Sequence, residues 1–251
     1  MAITKVTREL LSTGIDDNSN ATAITIDSSE NVGIGNTSPT EKLTLGTTSD
    51  ANTRIAIQSA NDGAGTIQFA DGTSAAAYAG YINYTHSDNV LAFATSSTER
   101  MRIDSTGAVT MPNQPAFLAK TASTMNNLTV GQNTTVTFGT EIFDQNADFA
   151  SNTFTAPVTG RYQLNTTLYM TDLDIDTAYY QLALITSNRT FYHILESSSF
   201  ASDASYQSID LSILCDMDAS DTAYVQMQIA NSGANQADVT VHSYFSGYLV
   251  A

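Results

Sequence analysis

The chain has no tryptophan, one cysteine, four prolines and, among 251 residues, only Lys5, Lys42 and Lys120 as lysines. Each shortage excludes something. A single cysteine excludes a disulfide-stapled scaffold and a cysteine-rich zinc site. Nine Lys+Arg stand against 25 Asp+Glu, a formal charge of −16. A nucleic-acid binder needs a basic stripe to displace phosphate counterions, so nucleic acid is excluded as a partner. No run reaches about 18 apolar residues, so no membrane insertion is expected. The opening MAITKVTRELLSTG lacks the apolar core of about 7–15 residues that marks a secretory signal. Charged residues make up only 14% of the chain. Ser and Thr fill about a quarter of it instead. With 42% hydrophobic residues, the composition is nevertheless that of a folding chain.

What is present changes along the sequence. Residues 1–120 carry net −5, whereas 121–251 carry −11, with only Arg161 and Arg189 as cations. Nine of the twelve tyrosines follow residue 120. Two building blocks are therefore expected, joined near Met111-Pro112-Asn113-Gln114-Pro115, where two prolines predict an extended connector. The domain reading is an N-terminal arm at 1–22, a β-rich block at 23–111, a linker at 112–115 and a C-terminal domain at 116–251.

Period-two alternation dominates. Tyr162, Leu164, Thr166, Leu168 and Met170 alternate with polar neighbours, which places one face of a strand in a core. The same period runs through Ile209–Cys215, Val225–Ile229, and Val239 to Leu249. Turn-rich breaks separate these runs, so the fold class is all-β, a sandwich or barrel. The first half predicts thinner strands at 23–27, 42–45, 54–58, 66–70, 80–84, 90–95 and 100–104. Its few large apolar residues are too small a core for a lone domain, which predicts an oligomer. Ile3, Val6 and Leu10 have helical spacing, equally compatible with an irregular arm. The segment Thr73–Gly80 is expected to turn. One repeat exists: IDSSENVGI at 26–34 matches IDSTGAVTM at 103–111, each reading as strand, turn, strand.

Two resemblances enter on particular residues. SENVGIGNTSPTEKLTL, and later TERMRIDSTGAV, resemble segments of bacteriophage tail fibres and tailspikes, especially those of marine phages. That resemblance implies a trimeric fibre shaft. Residues 116–251 resemble the globular head of complement component one, subcomponent q, a relative of the tumour-necrosis-factor jelly roll. Phe138, Asp144, Phe149, Phe154, FTAPVTGRYQL and the closing FSGYLVA carry this likeness. Leu164 and Thr166 stand where that family has aromatics. The resemblance implies a trimeric, non-catalytic recognition head of two antiparallel sheets.

The chemistry agrees with a non-enzyme. No nucleophile elbow, P-loop, zincin or dinucleotide fingerprint is present. His86, His193 and His242 lack metal-ligand spacing. Cys215 continues an apolar face and is expected in the core. If extended, Asp172, Asp174 and Asp176 point to one side, which suits either a calcium site or a solvated acidic loop; Asp216, Asp218 and Asp221 form a second cluster. Tyr244, Phe245, Tyr248 and Leu249 form a charge-free last strand expected at a trimer interface. Tyr169, Tyr179, Tyr192 and Tyr206 are expected receptor contacts. The functional expectation is a homotrimeric phage adhesin. Its partners would be two identical chains, a virion protein held by the arm, and a host receptor or glycan. Rival readings are a capsid or tail decoration fibre and a glycan-degrading tailspike, whose acid pair would need a groove this chain is too short to build.

Overall fold

The computed structural model describes residues 24–73, 79–230 and 236–251. The arm expected at 1–22, with its helical spacing, lies outside the described residues, as does most of the turn expected at Thr73–Gly80. The chain divides into two compact units, one ending at Gln58 and one running from Ser59 to Ala251.

The first unit holds three short strands: β1 (Ile24–Ile26), β2 (Val32–Ile34) and β3 (Leu43–Leu45). β1 and β2 pair antiparallel, and β2 and β3 pair parallel. The strand expected at 54–58 is absent. Its isoleucines, Ile55 and Ile57, are exposed and pair with no described strand. Alternation alone cannot supply a ladder partner.

The second unit opens with an antiparallel meander: β4 (Ala64–Phe69), β5 (Gly80–Thr85), β6 (Val90–Thr95), β7 (Thr98–Ile103) and β8 (Val109–Thr110). The sequence repeat is a structural repeat across the two units. In the first copy Asp27 Oδ1 accepts the N–H groups of Ser29 (2.8 Å) and Asn31 (2.9 Å). In the second, Asp104 Oδ1 accepts those of Thr106 (2.8 Å) and Ala108 (3.0 Å). An aspartate that bonds its own backbone two residues on nucleates such a turn. Each turn also needs one left-handed residue, Glu30 (φ 62°) in one copy and Gly107 (φ 87°) in the other. These bonds lower the pKa of both aspartates, chiefly through the Asn31 N–H for Asp27 and the Thr106 hydroxyl for Asp104.

The expected extended connector at 112–115 is instead a turn, closed by Gln114 N–H to Met111 C=O at 3.1 Å. Pro112 sits at its second position, where the fixed φ of proline suits a turn. Side chains from the next domain hold it: Gln145 donates to the Met111 carbonyl (2.8 Å) and Asn146 to that of Asn113 (3.0 Å).

From residue 116 the chain folds as a jelly-roll sandwich. Its strands are β9 (Ala116–Lys120), β10 (Asn133–Thr135), β11 (Thr140–Asp144), β12 (Phe149–Ala150), β13 (Thr153–Thr155), β14 (Gly160–Leu173), β15 (Tyr179–Thr186), β16 (Thr190–Glu196), β17 (Ala204–Met217), β18 (Thr222–Ala230), β19 (Asp238–Val239) and β20 (Tyr244–Leu249). One sheet has the order β12-β13-β18-β15-β16, with β10 also on β18. The other has β11-β9-β20-β14-β17, with β19 also on β14. A single 3-10 turn, Ser197–Ser199, is the only helical element among the described residues. The fold is all-β, as the alternation implies.

The inward faces meet in one core. Phe117 stacks on Phe149 and Phe154 (centroids 5.0 and 4.8 Å) and meets Phe245 edge-on (5.0 Å). Tyr162, Leu164, Thr166, Leu168 and Met170 all point inward and are buried. Thr166, standing where an aromatic is usual, keeps its hydroxyl satisfied on the Tyr244 carbonyl at 3.0 Å. The run expected from Val239 to Leu249 is two strands, broken by a turn in which Ser243 N–H bonds Thr240 C=O (3.1 Å).

Candidate functional site

The first expected cluster is not one extended row. β14 ends at Leu173, and Asp172 takes a left-handed φ of 59°. The alternation breaks there, so Leu173 enters the core and Asp172 faces out. The chain then turns. Asp174 Oδ1 accepts the Asp176 N–H (2.7 Å), and Asp203 Oδ1 accepts that of Ile175 (3.0 Å). Buried Tyr180 pins the turn: its hydroxyl accepts the Asp174 N–H (2.7 Å) and donates to Thr177 Oγ1 (3.3 Å). Burial raises the pKa of this phenol. Asp172, Asp174 and Asp203 line an open acidic depression with Leu173 and Gln236. Among the described residues no three His, Cys, Asp or Glu side chains gather into a group that would hold a metal.

The second cluster is occupied by structural bonds. Asp216 forms a two-pronged pair with Arg189, whose side-chain hydrogen bond lowers the carboxyl pKa. Asp221 Oδ2 accepts from Asn188 (2.8 Å) and from the Asp218 N–H (2.9 Å). Cys215 lies in the core. Burial, with the Asp216 charge second, pushes its thiol to about 11.

The residues expected at a trimer interface divide. Phe245 is fully buried in the chain's own core, because β20 is a central strand with one face inward. Leu249 packs partly against that core. Tyr244 and Tyr248 face out and are exposed. Register sets Tyr248 beside Gln163, and Gln163 beside Leu214, which is 55% exposed. Beyond β9, the edge strand β11 exposes Ile142 and Phe143. A small amide network, Gln163 Nε2 to Asn165 Oδ1 (3.1 Å) and Ser212 Oγ (3.0 Å), sits between these apolar margins.

The four expected receptor tyrosines lie on two opposite faces. Tyr169 and Tyr206 share the outer face of the β20 sheet, with ring centroids 6.0 Å apart, and His242 meets Tyr169 edge-on. Tyr179 and Tyr192 belong to the outer face of the other sheet. That second face also carries three glutamines, Gln181 and Gln228 in one row and Gln226 in the next, which sequence reasoning missed. Leu214, Ile142 and Phe143 were missed as well. Only the strand register sets these side chains on shared faces.

Two antiparallel sheets packed face to face around one core, each with its own outward face, define a jelly-roll β-sandwich. The match is specific: residues 116–250, more than half the chain, match the C1q domain, and the chain belongs to that family. Domains of this family are typically non-enzymatic, often bind ligands and commonly form homotrimers. Among solved structures the chain is similar to the globular domain of zebrafish complement 1qA protein, at 17% identity over 55% of this chain and 98% of that one, TM-score 0.40. It is also similar to murine APRIL at pH 8.0, at 12% identity over 55% of this chain and 100% of that one, TM-score 0.40. No curated protein matches it.

Proposed function

We propose that the chain is a homotrimeric bacteriophage virion fibre, non-catalytic, that attaches the particle to the host surface through residues 116–251. The carrying observation is how the N-terminal apolar side chains are left. Between residues 24 and 58 only Gly33 and Pro39 are buried. Ile24, Ile26 (71% exposed), Ile34, Leu43, Ile55 and Ile57 all face out. Strands this short, with no core of their own, are stable only when covered. Identical copies, each exposing the same side chains, supply that cover.

Two further features support the reading. The outer face of the β20 sheet offers Tyr244, Tyr248 and Leu214 for contact between copies. The fibre-like segments SENVGIGNTSPTEKLTL and TERMRIDSTGAV contain the β2–β3 and β7–β8 turns. In this reading residues 1–22 dock on another virion protein, 23–111 form the shaft, and the C-terminal domain meets the host.

The test is twofold. Light scattering of the purified protein is expected to give three times 26.7 kDa. Preincubating host cells with it is expected to reduce adsorption of the phage. A clean monomer overturns the trimer, and particles that lack the protein overturn the virion role.

A further inference from the structure

We infer that the outward face of the sheet β12-β13-β18-β15-β16 docks an uncharged polysaccharide. The inference rests on reading the C-terminal domain as the binding part, and it names the ligand class.

The first ground is charge. Residues 121–251 carry net −11, yet along β10, β18, β15 and β16 the outward positions hold one charged residue, Glu196, at a corner. Acids lie instead in the turns before β15 (Asp174, Asp176) and before β18 (Asp218, Asp221), and the β15–β16 turn holds Arg189, paired with Asp216. An ionic partner finds no counter-charge there, and a cation is better served by the acidic turns. The occupant that matches is neutral.

The second ground is hydrogen-bonding capacity. Register places Asn133, Gln228 and Gln181 in one row, which ends on half-exposed Ile194, with Gln226 in the next. An amide has two donor hydrogens and two acceptor lone pairs. Here the side-chain contacts are long: Gln181 Nε2 to Gln228 Oε1 at 3.5 Å, and Gln226 Nε2 to Thr135 Oγ1 at 3.5 Å. Contacts this long use little of that capacity. A partner must both donate and accept at many points, which hydroxyl-rich sugars do and apolar or ionic surfaces do not.

The third ground is aromatic. Tyr192, 57% exposed, flanks the small Ala183, with Gln226 on the far side. A large ring beside a small residue gives a shallow step against which a sugar ring can lie. The face runs across several strands, which suits a polymer lying across it rather than a small enclosed ligand. Contact between copies through the β20 sheet would leave this face open to solution.

The experiment is native electrophoresis of the full chain in gels cast with dextran, laminarin or galactomannan, all neutral, and with alginate, which is anionic. Retardation by at least one neutral polymer and none by alginate is expected. The double variant Tyr192→Ala, Gln226→Ala is expected to weaken retardation about tenfold or more with melting point and mass unchanged. If it melts early, Tyr192→Ala alone, at an exposed position, is read instead. No retardation by any neutral polymer, retardation by alginate, or an undiminished variant overturns the inference. A variant that changes oligomer mass also overturns it, by making this face a contact between copies. A monomeric wild type that is still retarded would sink the trimer and leave the ligand class standing.

Discussion

Asp148 shows how one side chain's surroundings become a pH response. Its neighbour Asp144 is fully engaged, accepting the N–H groups of Asp148 (3.0 Å) and Phe149 (2.9 Å). Asp148 Oδ2 is buried without a hydrogen-bond partner. Burial first, then the Asp144 charge, raise the Asp148 carboxyl above its usual 3.8. A raised acid binds its proton more tightly in the folded state. Stability is therefore fully present below the unfolded value and falls as pH rises through the folded one. Asp148→Asn removes the charge and keeps the shape. It is expected to raise the melting midpoint at pH 7 by about 1–3 °C, with the gain closing below pH 3.8. Thermal scans of both proteins across that range check this, and a gain independent of pH would contradict it.

At the scale of elements, β20 shows what close packing demands. A Cβ built on Gly247 would meet Leu164 Cδ2 at 2.5 Å and Phe117 Cε1 at 2.8 Å. Both neighbours are core side chains fixed by β9 and β14. Gly247→Ala is expected to destabilise the domain by about 1–3 kcal/mol, the usual cost of overpacking, read as a lower urea midpoint with unchanged slope. An unchanged midpoint would mean the core yields there. This position also shows what was legible beforehand. The inward set of β14, the strand at Val225–Ile229 and the paired Asp27 and Asp104 turns follow from period two and turn chemistry, which are local. The non-strand at 54–58, the break after Val239 and the sharp exit at Asp172 depend on partners distant in sequence. The candidate surfaces were legible as single residues, such as Tyr192 or Tyr248. Their grouping was not, because neighbours on a face come from register across strands far apart in the chain.

For the whole molecule, charge and apolar exposure oppose each other. Each chain carries −16, so three copies repel while their exposed isoleucines and tyrosines gain by burial. The Debye length falls from about 30 Å at 0.01 M salt to about 8 Å at 0.15 M, so added salt weakens the repulsion and leaves apolar burial intact. The proposed trimer is therefore expected to tighten with salt, the reverse of an assembly held by ion pairs. Sedimentation of the intact protein at 10 and 500 mM NaCl is expected to show dissociation beginning at concentrations about tenfold higher in the low-salt buffer. Tyr248→Asp sets a new charge on the outer face of β20 without touching the inward core. It is expected to yield a folded 26.7 kDa species at either salt concentration. A trimer that loosens as salt rises would show that ionic contacts hold it. A Tyr248→Asp protein that remains trimeric would move the contact away from the β20 sheet, onto the N-terminal strands alone.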